Sequence, residues 1–120
     1  WAYYLGFVPD ADLPHLFAGA RLFAFPSLYE GFGLPVLEAM ASGVPVLTSS
    51  SSTLPEVAGG AAAICHPKDI EGMTAALLRG LVDDTWRDSA IELGLSQASK
   101  FSWQKCAEET AEVYRKVLQL

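Results

Sequence analysis

The chain is 120 residues long, 51% hydrophobic and 18% charged, with a formal net charge of -6. Such a length holds one small domain with a buried core, and such a composition excludes a disordered chain. The acidic balance argues against a nucleic-acid backbone or an anionic membrane surface as main partner, no apolar run is long enough to span a bilayer, and no signal peptide is visible at Trp1.

Ala2 to Phe7 reads as a short apolar strand, with Pro9 and Asp10 closing the turn after it. Asp10 or Asp12 is placed to start a helix carrying Leu13, Leu16 and Phe17, which Gly19 and Ala20 end. Arg21 to Phe25 is a second strand, stopped by Pro26. A loop containing Gly31 and Gly33 leads into a helix that opens at Pro35 and stops at Gly43. Proline suits the first helical position because its missing N–H has no partner there, and glycine just past the last turn is the usual stop.

Val44 to Thr48 is a third strand, Ser49 to Thr53 a polar loop, Leu54 to Ala58 a single helical turn, and Ala61 to Cys65 a fourth strand. After the turn at Pro67–Asp69 the apolar spacing becomes helical, with Ile70, Met73, Leu77, Leu78 and Leu81 on one face. A second helix runs from about Asp83 to Ser99 with Trp86 as its main apolar anchor. Ser102 caps a third, whose stripe of Trp103, Cys106, Thr110, Val113, Tyr114 and Val117 reads as ordinary core. Trp1, Tyr3 and Tyr4 are expected against the opened edge of the sheet. Cys65 and Cys106 lack metal spacing and are too few for a disulfide scaffold, so they read as free thiols of a cytoplasmic protein, and no metal is expected.

Short apolar strands separated by helical segments predict a parallel α/β sheet, about four strands wide, followed by three helices. Ligands of such sheets sit outside the carboxyl ends of the strands. That edge gathers the Phe7–Asp10 turn, the Pro26–Gly33 loop, the Thr48–Thr53 loop and the His66–Asp69 turn. Helix-start amides near Leu34, Val36 and Leu37 make an anion site there, and Glu30 and Glu38 flank it. From Trp1 to His66 Arg21 is the only Lys or Arg, so a phosphate at this edge relies on backbone amides and the helix dipole, or on a cation from elsewhere. Ser27, Thr48 and Ser49 are placed to line the site. Glu56 reads as a local anchor, His15 as a surface or packing residue and His66 as part of a turn.

The segment Glu30-Gly-Phe-Gly-Leu-Pro-Val-Leu-Glu38, followed by Ala39-Met-Ala-Ser-Gly-Val-Pro-Val46, resembles the Glu-x7-Glu signature of retaining, nucleotide-sugar-dependent glycosyltransferases of family 4. Gly6-Phe-Val-Pro9, Ala20-Arg-Leu-Phe-Ala-Phe-Pro-Ser27, Leu54-Pro-Glu-Val57 and Phe101-Ser-Trp103 are similar to the blocks around it, in the same order. The resemblance covers essentially the whole chain.

It implies the GT-B fold, two Rossmann-like domains with the active site between them, of which residues 1–120 match the second half of the C-terminal, donor-binding domain. The acceptor domain, and the earlier strands whose Arg and Lys hold the donor pyrophosphate, lie outside this stretch. By the resemblance Glu30 is the catalytic carboxylate and accepts hydrogen bonds from donor-sugar hydroxyls, with the amides of Gly31, Phe32 and Gly33 also on the sugar. Leu34 and Val36 offer amides to the pyrophosphate, and Glu38 holds the ribose.

The expected activity is retaining transfer from a nucleotide diphosphate sugar, with no further cofactor. The wording around Tyr29–Pro35 leans toward bacterial mannosyltransferase-type members and a GDP-sugar. This stretch alone is expected to be inactive, in a parent that is cytoplasmic or peripheral at the membrane. Its cut sheet edge is expected to favour a homodimer or strand exchange. The alternatives are a nucleotide-sugar epimerase of the same architecture and a non-catalytic, self-associating half-domain.

Overall fold

A computed structural model describes residues 2–119. The element order is α1 (Leu13–Ala18), β1 (Phe23–Phe25), α2 (Leu34–Ala41), β2 (Val46–Ser49), α3 (Leu54–Ala58), β3 (Ala63–Cys65), α4 (Ile70–Val82), α5 (Asp84–Ala98) and α6 (Trp103–Leu118). The three strands form one sheet in the order β1-β2-β3, and both pairings are parallel, with Phe23 beside Val46 and Leu47 beside Ala63. The α/β class and the alternation of strand and helix are those the apolar pattern predicts.

The central strand β2 is buried along its whole length, as a strand with neighbours on both sides requires. The core lies around α2, whose Val36, Ala39 and Met40 pack with Phe17, Val44, Val46, Leu54, Val57, Ala58 and Ala61. Leucine or valine buried to this degree contributes about 1.5–3 kcal/mol each, which makes α2 the hub of the domain. Helix α5 comes close to α2 because Gly94 faces Met40, where an added Cβ would lie 3.3 Å from Met40 Cγ.

Three helix starts are set by side chains read as caps or turn residues. Asp69 accepts from Gly72 N–H at 2.9 Å, Asp83 from Trp86 N–H at 2.9 Å, and Ser102 from Lys105 N–H at 3.0 Å. The Trp86 and Thr85 amides and the neighbouring Arg79 side chain favour the charged form of Asp83, the Trp86 hydrogen bond most of all, and hold its carboxyl below the usual range. At the amino end of β1 Arg21 donates to Leu81 O and pairs with Asp84, both at 2.7 Å, tying the sheet to the α4–α5 corner.

Three expectations at the ends of the chain are corrected. Residues 2–8 form no strand, because among the described residues no neighbouring strand takes their backbone hydrogen bonds. Tyr3 and Tyr4 consequently stand 87% and 97% exposed instead of covering the sheet edge; Trp1 lies outside the described residues. The α6 stripe is a surface: none of the helix's residues is buried, and Trp103 and Val117 are 77% and 73% exposed. An amphipathic pattern shows that a face is apolar, and leaves open what covers it. Trp86 is only half-buried, lying 5.5 Å from the Arg79 guanidinium, while Ala90, Gly94 and Gln97 form the buried face of α5. No helix among the described residues is long and apolar enough to cross a membrane.

Candidate donor-binding site

The loop between β1 and α2 ends at Gly33, the N-cap of α2, with φ 103°. Left-handed backbone of this kind is open to glycine and strained for other residues. Gly33 is buried against α3, where an added Cβ would meet Leu54 Cδ2 at 2.7 Å, whereas Gly31 is exposed with nothing near the Cβ position. The two glycines therefore differ: Gly33 serves the turn, and Gly31 leaves the backbone approachable. At the start of α2, Leu34 has an amide without an intrahelical acceptor by position. The Val36 amide turns back onto Gly33 O at 3.0 Å. The amide expected to be free at Val36 thus has a backbone acceptor.

Glu30 is half-buried and held from several directions. Ser27 Oγ donates to Glu30 Oε1 at 2.6 Å, and Glu30 N–H donates to Ser52 Oγ at 3.0 Å. Thr53 Oγ1 donates to Glu30 O at 3.1 Å and Phe32 O at 2.9 Å. Thr53 occupies the N-cap position of α3 yet makes no cap bond there, its hydroxyl being turned to the glycine loop. Ser52 has φ 52°, a left-handed conformation in a non-glycine residue that costs about 1–3 kcal/mol. The loop expected only to line the site thus grips the glycine loop instead, through Ser52 and Thr53, which sequence reasoning did not single out. The signal available was the hydroxyl-rich composition of residues 49–53.

Ser49 and Thr48 are buried in β2. Ser49 Oγ donates to Ser27 O at 2.5 Å and Thr48 Oγ1 to Phe25 O at 2.9 Å, so both fasten the end of β1 to β2. His66 takes the turn role, its Nδ1 accepting from Lys68 N–H at 3.2 Å. Burial first, and then the Asp69 carboxylate, push the Cys65 thiol up, so it stays neutral at pH 7. His15 is exposed on α1, and Glu56 lies in the first turn of α3 near its positive dipole end.

Glu38, Phe32 and Leu34 line a groove of about 840 Å³ between α2, the end of α5 and the start of α6. Phe32 meets Phe101 edge to face there at 5.9 Å between ring centroids, carrying the glycine loop onto the α5–α6 junction. Glu30 is not among the groove's lining residues, so the two acids do not share that hollow; Phe32 and Leu34, which do line it, lie between them in the sequence. Lys100 and Lys105 are also in its wall, cations the charge distribution along the chain did not assign to the site. Arg21, at the amino end of β1, is held at the opposite end of that strand from the glycine loop. Among the described residues no cluster of three His, Cys, Asp or Glu side chains is arranged to hold a metal ion.

A parallel sheet, a glycine-bearing loop at the carboxyl end of its first strand and a carboxylate anchored in that loop define an α/β protein of the open parallel-sheet class. The model of the family described as glycosyl transferases group 1 matches residues 2–97, and the chain belongs to that family. It is 51% identical over 115 residues to the O-antigen chain mannosyltransferase B of Escherichia coli, covering 96% of this chain and 30% of that protein. It is 40% identical over 120 residues to the MMP alpha-(1->4)-mannosyltransferase of Mycolicibacterium hassiacum, covering 91% of this chain and 28% of that one. A sucrose-phosphate synthase from Thermosynechococcus elongatus superposes with a TM-score of 0.86 at 27% identity, over 98% of this chain and 30% of the synthase. The chain thus spans about a third or less of these proteins.

Proposed function

We propose that residues 1–120 are the second half of a donor-binding domain, and that the parent enzyme transfers a sugar from a nucleotide diphosphate donor with retention of anomeric configuration. The observation that carries this reading is Glu30, fixed beside the open Gly31 backbone at the sheet edge. In this assignment Glu30 accepts hydrogen bonds from sugar hydroxyls beside the reacting carbon, and the amides of Gly31, Phe32 and Gly33 contact the sugar. The Leu34 and Val36 amides face the pyrophosphate, and Glu38 accepts from the ribose hydroxyls. Carboxylates suit both tasks because each oxygen accepts charge-assisted bonds. The leaving nucleoside diphosphate is stabilised electrostatically, and the acceptor hydroxyl attacks from the face it leaves.

A mannosyl donor is supported by the names of two of the relatives, and a GDP-sugar by the resemblance around Tyr29–Pro35. Transfer is preferred to epimerisation because the family model is one of transferases. The acceptor domain and the main pyrophosphate cations belong to the remainder of the parent, which we place in the cytoplasm. The reading needs no cofactor beyond the donor.

Titration calorimetry with several nucleotide sugars tests donor binding by this chain. Restoring the segments its relatives carry and assaying transfer tests the reaction. Glu30→Ala should then lower kcat about 10²–10³-fold, the range for loss of a group aimed at transition-state charge. Glu38→Ala should weaken donor binding about 10- to 100-fold. Full activity of the Glu30→Ala enzyme would refute the assignment.

A further inference from the structure

Ser27, expected from the sequence only to line the site, has its hydroxyl committed to a side-chain partner. Short turns in which serine closes a loop bond its hydroxyl to backbone. Here the backbone of Glu30 is already satisfied on both sides, N–H by Ser52 and C=O by Thr53. The Ser27 hydroxyl instead donates to the carboxylate oxygen Oε1 at 2.6 Å, within the range of a charge-assisted O–H···O bond. Ser27 is itself fixed, since its carbonyl accepts from Ser49 Oγ, and Ser49 is fully buried on the central strand. A continuous line therefore runs from the buried central strand, through Ser49 and Ser27, to one oxygen of Glu30.

From this geometry we infer that Ser27 is the positioning residue of Glu30. It occupies Oε1, fixes the side-chain torsions, and leaves Oε2 directed at the donor sugar. The inference rests on the donor-binding reading for the identity of the ligand, and on the Ser49–Ser27–Glu30 line for the rest. A free glutamate samples several rotamers and loses that freedom on binding; one held by a serine from a buried strand meets the sugar already oriented. Ser27 touches no reacting atom in this account, and its effect appears only through Glu30.

The test uses the 120-residue chain with NMR and titration. Side-chain couplings of Glu30 should report a single rotamer in the native chain, rotamer averaging in Ser27→Ala, and a single rotamer again in Ser27→Thr, which keeps the hydroxyl. Backbone amide shifts across residues 20–60 in the Ser27→Ala chain identify any general loss of fold. With GDP-mannose and GDP as probes, Ser27→Ala should weaken the nucleotide sugar about tenfold, leave GDP within about twofold, and be rescued by Ser27→Thr. A native Glu30 already averaged, a Ser27→Ala chain that keeps one rotamer, or equal losses for the two probes would overturn the positioning role. Failure of the native chain to prefer GDP-mannose over GDP would count against the donor reading, while the couplings still decide the Ser27–Glu30 contact.

Discussion

Gly33 and Gly31 have the same residue type and different duties, and the difference is testable. Gly33→Ala places a Cβ in left-handed backbone and against Leu54, so it should lower unfolding free energy by about 1–3 kcal/mol in denaturant titration. Gly31→Ala meets open space and should change stability little. Differences of this kind are not visible in a run of letters; Glu-Gly-Phe-Gly announces a tight loop and a close approach, without saying which glycine does which. The same holds for the grip on Glu30. Ser52 and Thr53 lie 22 and 23 residues from it, and hydrogen bonds between two loops leave no periodic trace. The cysteines give a further prediction at this scale. Cys65 is half-buried with its thiol pushed up by burial and Asp69, whereas Cys106 is exposed. A thiol reagent at neutral pH should label Cys106 first, read by mass spectrometry of the digested chain.

Among the elements, the helices were the most legible. Asp69 and Ser102 stand where the sequence puts them, and α4, α5 and α6 begin beside such residues because a side-chain oxygen satisfies an amide the helix cannot. Ser102→Ala should destabilise α6 by about 0.5–2 kcal/mol, seen as faster hydrogen exchange in its first turn. Asp83 ties this scale to pH. Its carboxyl is held below the usual range in the folded chain, so the unfolded chain takes up protons at higher pH than the folded one. Its contribution is therefore fully present above the unfolded value of about 3.9 and falls away as pH drops through the lower folded value. The Asp83→Asn chain should lose less of its Tm over that acid window than the native chain. The strands were legible to the extent that they are paired. Residues 2–7 carry a strand's composition and form none, because strand character is a relation between neighbours.

For the molecule as a whole, what sequence patterns supplied was the class of the sheet; what they left out was the cover. The α6 face and the aromatic residues 3, 4 and 7 are apolar and exposed, and the outer side of β1 has no strand beside it among the described residues. The 56 × 32 × 28 Å extents give an elongated body. Open strand edges and apolar faces recruit other chains. Light scattering of the isolated chain should accordingly give a mass that rises with concentration, and a constant monomer mass across that range would refute self-association.

The hydroxyl bonds that hold the Glu30 loop span between 3 and 23 residues of chain. Closure entropy grows only slowly with loop length, so bringing together groups 21–23 residues apart costs only modestly more than closing a short turn. The Glu30 loop is therefore fastened by hydrogen bonds from residues 27–53, whereas the groove beside Glu38 also needs the end of α5 and the start of α6.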